Sequence, residues 1–457
     1  MRWAPIVIIA AAPLIMLRNT LRPISDPDTF WHLSAGEYLW TTWQFSGPAP
    51  TPTSATRPWT LHEWAPELLM AAVARVGGLP AVALLQALAA SALLWALYVA
   101  CRLHTRPLPS AVAATVAWLG ASASIAPRPQ MVSFILLALV TSVWLRTARD
   151  GRARWWLVPL TFVWACSHGL WVAGVLVGLG VVVGCLLDGR VNRREAGRLL
   201  LVPVLSIVAA AVTPVGPGLL LSPLEVRGYS KYVTEWAPAS LAQPAFLATM
   251  VLSVIVVLGW TRRSTTAPWA HLSVWGLALV WTLLYARTVA LGAVMLAPLA
   301  SMTLQGLLTS GPHPVRLKAE RGVVLAGAAL TVCIGLAMTP GISTNAARMP
   351  VQLDSQLSAL PADTVVFNEY SLGGWLLWTH PNVEPVIDGR TEIYPLPYVD
   401  AYQSALTAQQ GWQGTVETSG ATVALLPTQG ALADALVHQE RWTSVAEDAG
   451  YVLLRKP

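Results

Sequence analysis

Charge is what this chain lacks. Only 11% of its 457 residues are Asp, Glu, Lys or Arg, where soluble domains carry about 25%. With 55% hydrophobic residues, an ordinary soluble fold is excluded and a polytopic α-helical membrane protein is indicated. Cysteine is almost as scarce. Cys101, Cys166, Cys185 and Cys333 all fall inside apolar runs, so they read as small core residues and neither a disulfide nor a zinc spacing is present. There is no glycine-rich nucleotide loop and no Walker motif. The net charge of +6 carries no call for nucleic acid, because the basic residues sit in short loops between apolar stretches.

Those stretches lie at 3–17, 79–101, 110–126, 131–145, 155–167, 170–187, 199–214, 243–261, 269–285, 288–308 and 323–340, which gives about eleven spans, several of them short for the roughly 20 residues a bilayer requires. With the N-terminus and Arg2 in the cytoplasm, alternation puts five basic loops on the same side. They hold Arg102 and Arg106; Arg146, Arg149, Arg152 and Arg154; Arg190, Arg193, Arg194 and Arg198; Arg262 and Arg263; and Arg316, Lys318 and Arg321. More than half of the 29 Lys and Arg are then cytoplasmic, as the positive-inside rule requires. The early Arg and apolar core resemble a signal peptide, but the core runs into Leu17-Arg18-Asn19 without a small-residue cleavage site, so a retained first helix is expected.

Three segments fall on the opposite, exoplasmic side. Loop 18–78 carries Asp26-Pro27-Asp28-Thr29-Phe30-Trp31-His32, then Glu37, His62-Glu63-Trp64 and Glu67. Loop 215–242 carries Glu225, Arg227, Lys231 and Glu235-Trp236. The third is the C-terminal portion. The same face receives Arg128, His168 and Arg287 from the outer ends of distant spans. Carboxylates at a membrane surface are costly and tend to be functional. Acids beside Arg and His at that depth suit a lipid phosphate headgroup and a transferable group. Each residue also has a plainer reading: Arg128 and Arg287 as snorkelling anchors, His168 as a span cap, Trp31, Trp59 and Trp64 as an aromatic belt, and Asp26 as a turn former.

From about 351 acids return and apolar runs shorten. Strands are expected at 364–367, 385–387, 421–426 and 450–454, with a turn into a helix at 373–378. The expected division is therefore a membrane domain, 1–342, and a small exoplasmic α/β domain, 343–457. Asp388 and Arg390 follow a strand end, where such folds place ligand groups, though Asp388-Gly389 is equally good turn chemistry.

The whole chain resembles the bacterial multi-spanning proteins of the GT-C glycosyltransferase superfamily. The resemblance is carried by Asp26-Pro-Asp28-Thr-Phe-Trp31-His32, Trp59-Thr-Leu-His62-Glu63-Trp64, Arg128-Pro-Gln130, Trp164-Ala-Cys-Ser-His168-Gly169, Thr234-Glu235-Trp236, Arg287, Asn368-Glu369-Tyr370-Ser-Leu-Gly373-Gly374-Trp375 and Ile387-Asp388-Gly389-Arg390. It implies a GT-C-like fold in a bacterial cytoplasmic membrane, and transfer of a sugar from a polyprenyl-phosphate donor to an exoplasmic glycan, lipid or protein. It also implies a first-loop acid as base, in some members beside a divalent metal. Inverting transfer needs such a base and a stabiliser for the departing phosphate. Asp28 is the expected base, with Asp26 and Glu63 beside it. Arg287, then Arg128, would hold the lipid phosphate. His32, His62, His168 and Glu235 would bind substrate hydroxyls. Asp26, Asp28 and Glu63 are candidate ligands for magnesium or manganese. The rival readings are a lipid-linked sugar transporter or flippase, which needs ionisable residues deep in the spans, and a non-catalytic GT-C-like scaffold.

Overall fold

The computed structural model describes residues 3–47, 59–220, 229, 232, 234–262, 266–308 and 318–457. Arg2, Glu225, Arg227, Lys231, Arg263 and Arg316 lie outside the described residues. The chain divides into two compact units, one of Met1–Arg22, Ala83–Ser222 and Ser230–Gly341, the other of Pro23–Val82, Pro223–Tyr229 and Ile342–Pro457. Loop 18–78 thus belongs, from Pro23 on, with the C-terminal residues.

Every one of the eleven apolar stretches is helical: α1 (Ala4–Thr20), α3 (Trp64–Arg102), α4 (Pro107–Ala121), α5 (Gln130–Asp150), α6 (Leu157–Ala165), α7 (Trp171–Leu187), α8 (Arg193–Ala211), α9 (Pro244–Thr261), α10 (Trp269–Leu284), α11 (Val289–Leu308) and α12 (Lys318–Met338). Helix is forced on them because a bilayer offers no water to backbone N–H and C=O groups. Among the described residues, five helical runs are long and apolar enough to cross a membrane: Trp64–Arg102, Gln130–Asp150, Pro244–Thr261, Ala286–Leu307 and Lys318–Gly341. Ala4–Thr20, Trp171–Leu187 and Trp269–Leu284 are shorter apolar helices. The nine residues of α6 rise only about 14 Å, so that helix alone falls well short of a crossing. This is a multi-pass membrane protein.

In the first unit α11 is the hub, packed against α4, α9 and α10. Small residues let these helices close up. A side chain at Gly120 of α4 would meet Ala293 Cβ and Thr249 Oγ1, both at 2.6 Å. The last helix, α12, packs mainly on α1, and its apolar face is largely left for lipid. It is fastened by a buried cluster in which Arg102 Nε and NH2 donate to the two Glu320 oxygens at 2.8 and 2.9 Å, with the Tyr98 hydroxyl donating at 3.0 Å. Helix α8 begins on a capping box, Asn192 and Glu195 exchanging side-chain and backbone bonds at 2.9 Å, the arrangement that satisfies otherwise orphaned first-turn N–H groups.

The second unit is built on a five-stranded sheet in the order β4-β3-β5-β7-β6. β3 (Thr364–Asn368), β4 (Val383–Pro385) and β5 (Val423–Pro427) run parallel, and β6 (Thr443–Asp448) and β7 (Tyr451–Arg455) complete it antiparallel. The edge strand β6 was not expected from sequence, because its exposed TSVAED run lacks an apolar face. The acidic loop folds as α2 (Asp28–Thr42), a two-residue hairpin pairing Ser46–Gly47 (β1) with Trp59–Thr60 (β2), and the start of α3. Gly77 (φ −139°) and Gly78 (φ 62°) interrupt α3, dividing the part that carries Glu67 from the apolar run after it. Helix α2 packs on the short helix Gly373–Thr379. Gly374 permits this, since a Cβ there would come within 3.1 Å of Pro27 O and Trp31 N.

Candidate functional site

In the second unit α2 carries Asp28 in its first turn and His32 one turn later. Glu63 precedes α3 and Glu67 lies in its first turn, so the two carboxylates share a face. His32 Nδ1 is 2.8 Å from Glu67 Oε1 and 3.8 Å from Glu63 Oε2. Glu67 is completely buried, and among the described residues its Oε2 has no hydrogen-bond partner. His62 Nδ1 faces Thr60 O at 3.1 Å and its Nε2 faces Glu63 Oε1 at 3.5 Å. The Thr60 carbonyl can only accept, so Nδ1 carries a proton. Burial alone would lower the His62 pKa, but the Glu63 carboxylate, with Glu392 and Glu67 behind it, lifts it to about 9.

Asp26 and Asp28 make contacts of their own. Asp26 Oδ2 accepts from the Thr29 hydroxyl at 3.0 Å, a local helix-start contact. Asp28 packs against the turn at Gly389, where a Cβ would fall 2.5 Å from Asp28 Oδ1 and 2.7 Å from Trp31 Nε1. Tyr370, whose hydroxyl donates to Gly389 O at 3.2 Å, is pushed to high pKa by burial and by the Asp28 charge.

Asp388 and Arg390 form a buried clasp. Arg390 N, Nε and NH2 reach Asp388 at 2.8, 2.9 and 2.6 Å, and the Tyr394 hydroxyl donates at 2.9 Å. The residues are 0% and 1% exposed, so the Asp388 oxygens are already committed. The Arg390 guanidinium stacks 4.9 Å above the Trp59 ring. Trp59 is therefore buried protein-side and does not sit in an aromatic belt.

The ligand atoms of His32, Glu63 and Glu67 all lie within 4.8 Å of one another. Neither Asp26 nor Asp28 belongs to that group; of the expected ligands only Glu63 does. The buried, unpartnered Glu67 Oε2 is what a missing cation would leave, so the residues fit a divalent ion. One imidazole and two carboxylates favour manganese or zinc over magnesium. Glu67 was missed as a site residue, although the Glu63–Glu67 spacing at a helix start was readable.

The first unit holds a separate polar group. Glu235 lies 3.0 Å from Arg128 NH1 and 3.8 Å from Arg287 NH1. His168 sits in the turn between α6 and α7, its Nδ1 accepting from Leu170 N at 3.1 Å.

No protein-family model matches this sequence, and no curated protein matches it. Solved structures do. The apo oligosaccharyltransferase of Archaeoglobus fulgidus aligns with a TM-score of 0.61 at 10% identity, over 92% of this chain and 69% of that one. The same archaeal enzyme, AglB, in complex with an inhibitory peptide and a dolichol-phosphate gives 0.63 at 10% identity over the same shares. ArnT from Cupriavidus metallidurans bound to undecaprenyl phosphate gives 0.50 at 16% identity, over 99% of this chain and 98% of that one. Both proteins are GT-C fold glycosyltransferases, and this chain has the GT-C fold.

Proposed function

We propose that the protein is a membrane glycosyltransferase that moves a sugar from a polyprenyl-phosphate donor, with inversion, to an exoplasmic acceptor. The observation that carries the reading is the meeting of Arg128 and Arg287, well over a hundred residues apart in sequence, on one carboxylate. Similar solved folds hold dolichol-phosphate and undecaprenyl phosphate. Guanidiniums bind phosphate in bidentate fashion, and we assign Arg287, with Arg128, to the departing lipid phosphate. Asp28 is our base for the acceptor hydroxyl, with Asp26 second. His62 and His168 are assigned to sugar or acceptor hydroxyls. Asp388 and Arg390 shape the turn on which Asp28 rests.

His32, Glu63 and Glu67 would hold a divalent cation, which when bound supplies positive charge for a developing oxyanion. A similar solved structure is described as a complex with zinc and sulfate, at TM-score 0.58 and 12% identity. We assign the N-terminus to the cytoplasm and the C-terminal domain to the outside, which the run of basic loops supports, and the membrane to the bacterial cytoplasmic membrane.

The test compares wild-type cells with an Asp28→Asn strain at equal expression, profiling polyprenyl-phosphate sugars and envelope glycans by mass spectrometry. Loss of one glycan with build-up of one lipid-linked sugar is expected. Unchanged pools, with Arg287→Ala equally silent, would overturn the transferase reading in favour of a scaffold.

A further inference from the structure

Glu235 is held where its carboxylate faces both arginines. Ala286 N donates to Ala237 O at 2.9 Å, tying the Glu235 loop to the turn that carries Arg287. Trp236 packs edge-on against Tyr285 with centroids 5.1 Å apart, and the Arg287 guanidinium lies 5.9 Å from the Trp236 ring. The Ser124 hydroxyl donates to Arg287 O at 3.4 Å, and Gln130 Nε2 donates to Ser124 O at 2.8 Å. This links the Arg287 turn to the segment bearing Arg128. The Glu235 carboxylate is thus shared by two guanidiniums.

A carboxylate and a phosphate present the same paired oxygens to a guanidinium. The Glu235 and Arg287 side chains are 39% and 31% exposed, against 11% for Arg128. Glu235 is therefore exposed enough to turn out into water, while the more buried Arg128 stays in place. We propose that Glu235 is an internal stand-in for the lipid phosphate: it occupies the guanidiniums when the phosphate is absent and is displaced when it binds. The inference rests on the lipid-phosphate role given above to Arg128 and Arg287. It makes Glu235 a competitor for the headgroup, where the sequence had cast it as a hydroxyl ligand.

The test uses the full chain in detergent and undecaprenyl phosphate as probe, with binding read by native mass spectrometry. The Glu235–Arg287 pair is part-exposed on both sides, and such a pair is worth at most about 1 kcal/mol, so Glu235→Gln should tighten binding by about fivefold, while Arg287→Ala and Arg128→Ala weaken it. Glu235→Ala is the second variant, and a thermal melt of each confirms folding. Unchanged or weaker binding by both Glu235 variants, with the arginine variants still impaired, would show that Glu235 positions the arginines, and would overturn the proposal alone. Wild-type-like binding by the arginine variants would overturn the phosphate reading and this inference with it. Competing inorganic phosphate, run on the wild type and on Glu235→Gln, names the source. Displacement of the probe by millimolar phosphate makes this a general phosphate site, and failure to compete makes it a lipid-headgroup site. In either case tighter binding of the competent phosphate by Glu235→Gln supports displacement of Glu235, while unchanged binding overturns it.

Discussion

Replacing Arg390 with Met would remove the cation of the Asp388 clasp while keeping most of the side-chain volume. In the wild type Asp388 receives two guanidinium bonds, at 2.9 and 2.6 Å, plus a backbone N–H at 2.8 Å and the Tyr394 hydroxyl at 2.9 Å. The variant keeps the last two donors but leaves a fully buried carboxylate without a countercharge. Breaking one side of such a pair costs about 3–5 kcal/mol, and loss of the stacking on Trp59 adds about 0.5–2 kcal/mol. Asp388→Asn in the Arg390→Met background removes the stranded charge, so the double variant should regain about 1–3 kcal/mol relative to the sum of the singles. Proteolysis of the full chain at low protease across a urea series, following cleavage within the second unit, reads the population of the open form. A loss under about 1 kcal/mol for Arg390→Met, or singles that simply add, would refute the clasp. It would then return Arg390 to the list of ligand-binding residues.

Three further outcomes follow from the second unit. Manganese or zinc at about a hundred times its dissociation constant should stabilise the wild type by about 2.7 kcal/mol. Glu67→Gln and His32→Ala should abolish both that shift and the metal retained after dialysis, whereas Asp26→Asn should keep them. Gly389→Ala should cost about 1–3 kcal/mol by overpacking, since its Cβ would lie 2.5 Å from Asp28 Oδ1; a thermal melt in which Asp28→Ala relieves none of that cost would contradict the contact. Burial holds the His380 imidazole below its usual range despite the opposing pull of Asp354. The neutral ring is thus favoured on folding, and this contribution is fully present above the unfolded value of about 6.5 and is lost as pH falls. Acidification from about pH 7 to about pH 5 should lower the unfolding midpoint of the wild type more than that of His380→Gln.

What could be read from the sequence depended on how local the determining physics is. The apolar stretches announce their helices because lipid leaves the backbone no other way to satisfy its hydrogen bonds. The strand at β3 and the turn into Gly373–Thr379 were equally readable, since periodicity and turn residues act over a few positions. Asp388-Gly389-Arg390 was readable as a turn, but nothing nearby disclosed that Tyr394 and Trp59 would complete it, one six residues on and the other more than three hundred back. The three-residue metal group was hidden for the same reason. Glu63 and Glu67 are visibly one helical turn apart, yet the pair gains its third member only when α2 closes on the start of α3. Gly36 allows that closure: a side chain there would collide with the Glu67 carbonyl and with Ala71 Cβ. A glycine within a helical pattern signals close approach without naming the partner. Asp26 and Asp28, the more conspicuous acids, drew the metal expectation because only Pro27 separates them in sequence, while His32, thirty-five positions from Glu67, is the residue the fold brings to it.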